Sequence, residues 1–202
     1  MNEQGLIVFA KAPVAGKAKT RLSPAIGAVA AARIHAELVE RTLESVTEPR
    51  WATALWCSPD SNDIFFQNLA DKHGLLLENQ QGENLGEKMY MALLSTLEQS
   101  KRAVIIGTDC PVLSKRIIQQ AFSALRNNYD AVIIPAEDGG YVLLGLTRID
   151  QQLFDDMAWG TNTVFTQTMS RLKQLGFNCL VLPTLWDIDR PEDLLRYQKL
   201  KG

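Results

Sequence analysis

The chain has 202 residues, 46% of them hydrophobic, enough to bury a substantial core within a single domain over 1–202. Its formal net charge of -2 excludes a general attraction to nucleic acid or to anionic lipid, so any phosphate binding must come from local clustering of cations. Cys57, Cys110 and Cys179 lie far apart without CxxC spacing, which argues against a disulfide framework or a zinc knuckle, and no run approaches transmembrane length or forms a signal peptide. A cytoplasmic protein is expected.

The first apolar run, Leu6 to Ala10, is continuous rather than alternating, which predicts a strand covered on both faces. Directly behind it comes KAPVAGKAKTRL, Lys11 to Leu22, with three lysines and an arginine. No Asp or Glu occurs between Gln4 and Ala36, whereas Lys11, Lys17, Lys19, Arg21 and Arg33 all do. A polyphosphate suits such a loop; a solvated basic loop is the plainer alternative. The loop is not an ATP-binding P-loop, because Ala18 follows Gly16-Lys17 and no glycine stands at position 11. Gly16 can still present backbone N–H groups, and a helix beginning near Pro24 or Ile26 adds a positive end.

From 26 to 46 the residues Ile26, Val29, Ala30, Ile34, Leu38, Leu43 and Val46 form one stripe, predicting an amphipathic helix. A strand is expected over 52–57, followed by Asp60, which suits a cap on the next helix or a contact to a ribose. After the strand at 74–78, QQGENLGEKM (Gln80 to Met89) places two glycines before a helix over 85–97, where a base or ribose can meet backbone groups. The strand at 103–107 runs into GTDCP, which puts Asp109 at a strand end as either a metal ligand or a helix cap; Ser114 is the better placed cap for a helix over 115–125, which favours the metal role. Cys110 as a nucleophile lacks a base, since only His35 and His73 exist and both sit in helical segments.

Strands at 131–135 and 141–146 are separated only by Ala136 to Gly140, which predicts a hairpin and hence a mixed sheet. The EDGGY segment there is either a turn or a close backbone approach to a ligand. Trp159-Gly160-Thr161 offers a stacking platform before a helix over 163–175. Beyond the strand at 179–183, WDIDRPEDL sends Asp187 and Asp189 to one side if extended, with Asp189 alternatively an N-cap paired to Glu192 for a helix over 191–200. Strand-helix alternation predicts an α/β fold with a mostly parallel sheet. Ligands of such sheets bind beyond the strands' carboxyl ends. Cations follow the first strand and carboxylates follow the later ones.

In this order KAPVAGKAKTRL, QGENLGEKM, GTDCPVL, EDGGYVLLGL, WGTNTV and DIDRPEDL resemble the radical-SAM/selenodomain-associated transferase family of bacteria and archaea, also labelled simply glycosyltransferase. That family is similar to the nucleotide-diphospho-sugar transferase superfamily, which also holds the nucleotidyltransferases that make molybdopterin dinucleotides. The resemblance covers nearly the whole chain and implies a Rossmann-like GT-A three-layer sandwich, a nucleotide donor, and Mg2+ or Mn2+. Carried over, Lys11, Gly16, Lys17, Lys19 and Arg21 contact donor phosphates, and Gly82, Leu85, Gly86 and Lys88 line the nucleotide side. Asp109 is the metal aspartate, and Asp187 or Asp189 matches a second metal position. Two departures stand out: the glycosyltransferase D-x-D is only Thr108-Asp109-Cys110, and the nucleotidyltransferase G-x-G-x-R is replaced by the lysine-rich loop.

The expected activity is a metal-dependent transfer from a nucleotide-activated donor, a nucleotide sugar, to a small acceptor. Lys17, Lys19 and Arg21 neutralise the leaving diphosphate and Asp138 activates the acceptor. The alternatives are a nucleotidyltransferase that joins an NTP to a phosphorylated or carboxylated acceptor, and a nucleotide-binding regulatory module without chemistry.

Overall fold

The continuous apolar runs become the strands of one seven-stranded sheet in the computed structural model, which describes residues 2–201. The strands are β1 (Gly5–Lys11), β2 (Ala52–Ser58), β3 (Leu76–Asn79), β4 (Ala103–Ile106), β5 (Ala131–Pro135), β6 (Tyr141–Leu146) and β7 (Cys179–Val181). Their spatial order is β3-β2-β1-β4-β6-β5-β7. All run parallel except β6, which is antiparallel to both β4 and β5. The short Ala136–Gly140 connection therefore closes a β5–β6 hairpin, as its length requires.

Helices cover both faces, which makes three layers: α1 (Ser23–Ile26), α2 (Ala28–Val46), α3 (Ile64–His73), α4 (Leu85–Gln99), α5 (Lys115–Arg126), α6 (Val164–Gln174) and α7 (Pro191–Lys201). The strand alternation on β1 sorts the core. Leu6, Val8 and Ala10 join one cluster with Leu43, Phe66, Ile118 and Phe122, while Ile7 joins the opposite one with Met89, Leu93, Leu144 and Leu172. A third cluster of Leu22, Ala31, Leu38, Trp186, Ile188 and Tyr197 fastens the end of the cationic loop and α2 to the segment before α7.

Several sequence expectations are corrected. The helix over 26–46 is broken at Gly27, whose φ of 84° favours glycine, so that α1 is a single turn before α2 begins. The helix expected after Asp60 is α3, whose range the sequence does not mark because only Phe66 and Leu69 are buried and its apolar signal is thin. Its cap is Asp63, which accepts from the Phe65 N–H; Asp60 instead closes a local turn by accepting from the Asn62 N–H. Before α7 the back-cap is Asp193, whose carboxylate accepts from the backbone N–H groups of Asp189 and Arg190, in place of the expected Glu192. Ser114 holds the N-cap position of α5 without a side-chain hydrogen bond. Among the described residues no helix is long and apolar enough to cross a membrane.

Candidate active site

The parallel strands β1, β4 and β5 all end on one edge of the sheet, and the reversed β6 begins there. On that edge lies a cleft of about 340 Å³. Phe9 at the end of β1, Ile105 and Ile106 of β4, and Tyr141 and Val142 of β6 form its floor. Leu85 and Met89 of α4 close one side with Trp159, Gly160 and Thr161. Asp109, Asp138 and Asp187 enter it from the segments after β4, β5 and β7. The lining is apolar below with carboxylates at one side, the composition of a small-molecule site.

The cationic loop and the carboxylates meet directly. Lys19 Nζ stands 2.7 Å from Asp109 Oδ1, with the lysine side chain only 4% exposed and the aspartate 47% exposed. The same ammonium donates to the Ile188 carbonyl. Arg21 pairs with Asp189 at the rim. The backbone N–H of Ile188 donates to the Asp109 carbonyl at 2.9 Å, so the segment carrying Asp187 and Asp189 is bonded to the strand end that carries Asp109. Trp186 and Ile188 are buried between these aspartates, which is the alternation of an extended chain.

Burial, reinforced by the nearby Asp138 and Asp109 carboxylates, pushes the Asp187 carboxyl up to about 6, although Lys19 works the other way. Arg21 also lies within the field of Asp138 and Asp187. Asp138 also accepts from the Gly140 N–H at 2.9 Å, which folds the EDGGY turn, and Gly139 adopts φ 91° with the Asn162 backbone where a Cβ would stand. The turn is therefore held by close packing against the Trp159–Thr163 segment. Burial pushes the Cys110 thiol up to about 11, which keeps it protonated and inert at neutral pH.

The remaining expected residues have separate positions. Lys11 donates to the Lys17 carbonyl at 2.9 Å, folding the loop on itself, and Gly16 and Lys17 are exposed. Gly82, Gly86 and Lys88 are not part of the cleft lining. Gly86 is buried, and a Cβ there would lie 2.7 Å from Trp159 Nε1 and 2.8 Å from the Phe154 carbonyl oxygen. It positions the indole rather than facing the cleft. Asp189, turned to Arg21, is likewise outside the lining.

Sequence reasoning passed over His35. Its Nε2–H donates to the Lys11 carbonyl at 2.8 Å and its Nδ1 lies 3.8 Å from Asp109 Oδ1, behind the carboxylate. Burial lowers its pKa against the pull of Asp109, so the ring is neutral at pH 7. The signal was there: His35 sits three residues from Ala32 and Leu38, on the buried stripe of α2. Phe9 and Met89 were equally hidden, because a floor residue and a core residue have the same periodicity.

A family described as "Uncharacterized protein conserved in bacteria" (DUF2064) matches residues 42–161, a range that holds Asp109, Asp138 and Trp159. A comparison with curated proteins finds no match. Among solved structures, a candidate nucleotide-diphospho-sugar transferase from Desulfovibrio desulfuricans superposes with a TM-score of 0.91 at 29% identity, covering 100% of this chain and 89% of that one. A 4-diphosphocytidyl-2C-methyl-D-erythritol synthase from Anaerococcus prevotii gives 0.66 at 15% identity, covering 100% and 97%. Glucosyl-3-phosphoglycerate synthase from Mycobacterium tuberculosis, solved with Mn2+, uridine diphosphate and glucosyl-3-phosphoglycerate, gives 0.59 at 10% identity, covering 96% and 75%. The last two likenesses show the fold alone, a Rossmann-like α/β sandwich that the first shares over the full chain.

Proposed function

The chain belongs to the DUF2064 family, and we propose that it is a single-domain cytoplasmic enzyme that transfers a group from a nucleotide-activated donor, a nucleotide sugar, to a small acceptor with the help of a divalent cation. The observation that carries this reading is the pairing of Lys19 and Arg21, from the loop after β1, with Asp109 and Asp189, beside the cleft that Asp109, Asp138 and Asp187 line. Likeness to a candidate nucleotide-diphospho-sugar transferase over the full chain supports the donor class. The motif order supports placement in the radical-SAM/selenodomain-associated transferase family. The one continuous sheet supports a single domain, and three free cysteines suit a reducing compartment.

In this reading Lys11, Lys17 and Arg21, exposed around Gly16, meet the donor phosphates from the loop side and offset the charge that grows on the leaving diphosphate. Leu85 and Trp159 flank the donor from the α4 side, and Gly82, Gly86 and Lys88 shape that wall from behind. Asp138, which also lines the cleft, accepts the acceptor's proton.

The hard oxygen donors of Asp109 and Asp187, which line the same cleft, fit Mg2+ or Mn2+. Among the described residues no three His, Cys, Asp or Glu side chains form a ready cage, which accords with a cation shared between one or two carboxylates and substrate phosphates. Bound there, it would supply Lewis-acid stabilisation of the leaving phosphate. Asp189 would join only by releasing Arg21.

A thermal-shift screen of nucleotide sugars and NTPs with and without Mn2+ tests the proposal, since a ligand that binds only the native state raises its stability by mass action. Stabilisation by a nucleotide sugar that depends on Mn2+ is the expected result, and no stabilisation by any nucleotide would sink it. The likeness to a 4-diphosphocytidyl-2C-methyl-D-erythritol synthase favours a second reading, nucleotidyl transfer from an NTP. Product identity separates the two: a nucleoside diphosphate for glycosyl transfer, pyrophosphate for nucleotidyl transfer.

A further inference from the structure

Lys19 differs from every other cation of its loop. Lys11, Lys17 and Arg21 are exposed, whereas the Lys19 side chain is buried and its ammonium is held between the Asp109 carboxylate and the Ile188 carbonyl. Its backbone adopts φ 49°, a left-handed conformation that a lysine takes only when its surroundings impose it. The ammonium thus occupies the oxygen of the very carboxylate best placed to bind a divalent cation. It is also turned away from the solvent side, where a donor diphosphate would arrive. The contact to Asp109 Oδ1 is close but lacks hydrogen-bond alignment, so it is held by charge more than by directional bonding.

We propose that Lys19 is a placeholder for the divalent cation, neutralising Asp109 while the donor site is empty and leaving it when a diphosphate and the metal arrive together. This rests on the reading of Asp109 as a metal ligand. One ammonium and one dication cannot both sit against the same buried carboxylate oxygen without strong repulsion. Metal alone must therefore displace Lys19 with nothing to receive the ammonium, whereas metal with a diphosphate offers it phosphate oxygens. The consequence is coupled binding, in which each ligand raises the affinity for the other by the same factor. Asp109 then does not capture free cations from the medium, and the loop changes its backbone state at the moment the donor is engaged.

The test is Mn2+ binding to the whole chain without nucleotide, followed by electron paramagnetic resonance. For the wild type a weak site is expected, and Lys19→Met should tighten it at least about tenfold, the effect of removing one opposed unit charge from a part-buried carboxylate. Adding Asp109→Asn to Lys19→Met should abolish the gain. Mn2+ that binds Lys19→Met no tighter than wild type, or that binds neither protein at all, overturns the proposal. Should the variant fail to fold, reductive methylation of the wild type gives the answer: Lys19 should react slowly in the free protein and faster under saturating Mg2+ alone. A Lys19 that stays protected while Mg2+ is bound at Asp109 also overturns it. Nucleotide binding measured without metal reports separately on the donor reading, so that reading and this inference can fail independently.

Discussion

Trp159 stands against Gly86 so closely that a methyl group on the glycine would come within 2.7 Å of the indole nitrogen and 2.8 Å of the Phe154 carbonyl oxygen. Because the carbonyl belongs to backbone and the indole walls the cleft, neither neighbour yields without altering the site. Gly86→Ala is expected to lower stability by about 1–3 kcal/mol and to shift the tryptophan fluorescence, as overpacking does. Chemical denaturation and emission spectra check it; a variant as stable as wild type with an unchanged spectrum would show that the contact is soft.

Asp187 predicts a pH dependence with a definite sign. Its carboxyl is raised in the folded chain, from an ordinary 3.8 to about 6, by burial and by Asp138 and Asp109. The folded state therefore holds the proton more tightly, and stability contributed by the protonated form is lost as pH rises from about 3.8 to about 6. Asp187→Asn removes that limb and should stabilise the metal-free protein at pH 7 by roughly 1 kcal/mol, after allowance for solvent around a part-exposed group. Urea midpoints at pH 4 and pH 7 decide the matter, since a larger gain at pH 4 contradicts the sign.

Arg21→Ala separates stability from binding. The Arg21–Asp189 pair is at the surface, with the arginine side chain 60% exposed. Surface pairs contribute under about 1 kcal/mol, so the melting temperature should barely move. Donor affinity, by contrast, should fall about tenfold or more if the guanidinium contacts phosphate. Calorimetric titration with the nucleotide identified by the screen measures it, and unchanged affinity would return Arg21 to a structural role.

Ile188→Ala tests the third hydrophobic cluster. Ile188 is fully buried there with Leu22, Leu38 and Trp186, so truncation is expected to cost about 2–5 kcal/mol. The damage should extend to the cationic loop, because Leu22 ends that loop in the same cluster. Faster hydrogen exchange at Ala18 and Leu22, whose amides bond within the loop, is the specific signature.

The centre of the sheet was legible because β1, β4, β5 and β6 are buried on both faces and so appear as unbroken apolar runs. The partition of cations from carboxylates was legible too, since an α/β chain places its site residues after its strands. What could not be read was how side chains turn once there. Asp187 and Asp189 are two residues apart on one face, yet only Asp187 enters the cleft while Asp189 is drawn to Arg21. The burial of Lys19 depends on a left-handed turn at a residue whose type gives no warning of it. The thin stripe of α3 and the break at Gly27 failed to register for the same reason: local backbone choices there are settled by tertiary packing.

The bonds that fasten the cationic loop beside the cleft join positions very far apart along the chain, with Arg21 reaching Asp189 across 168 residues and Lys19 reaching Ile188 across 169. Contacts of such range carry a large loop-closure cost unless the intervening sheet has already closed the distance between them. A half-assembled molecule can possess most of its strands and still have no pocket for a ligand. Ligand capture is then a readout of completed folding, and any small molecule that fits the cleft selects finished molecules from a mixture of finished and unfinished ones.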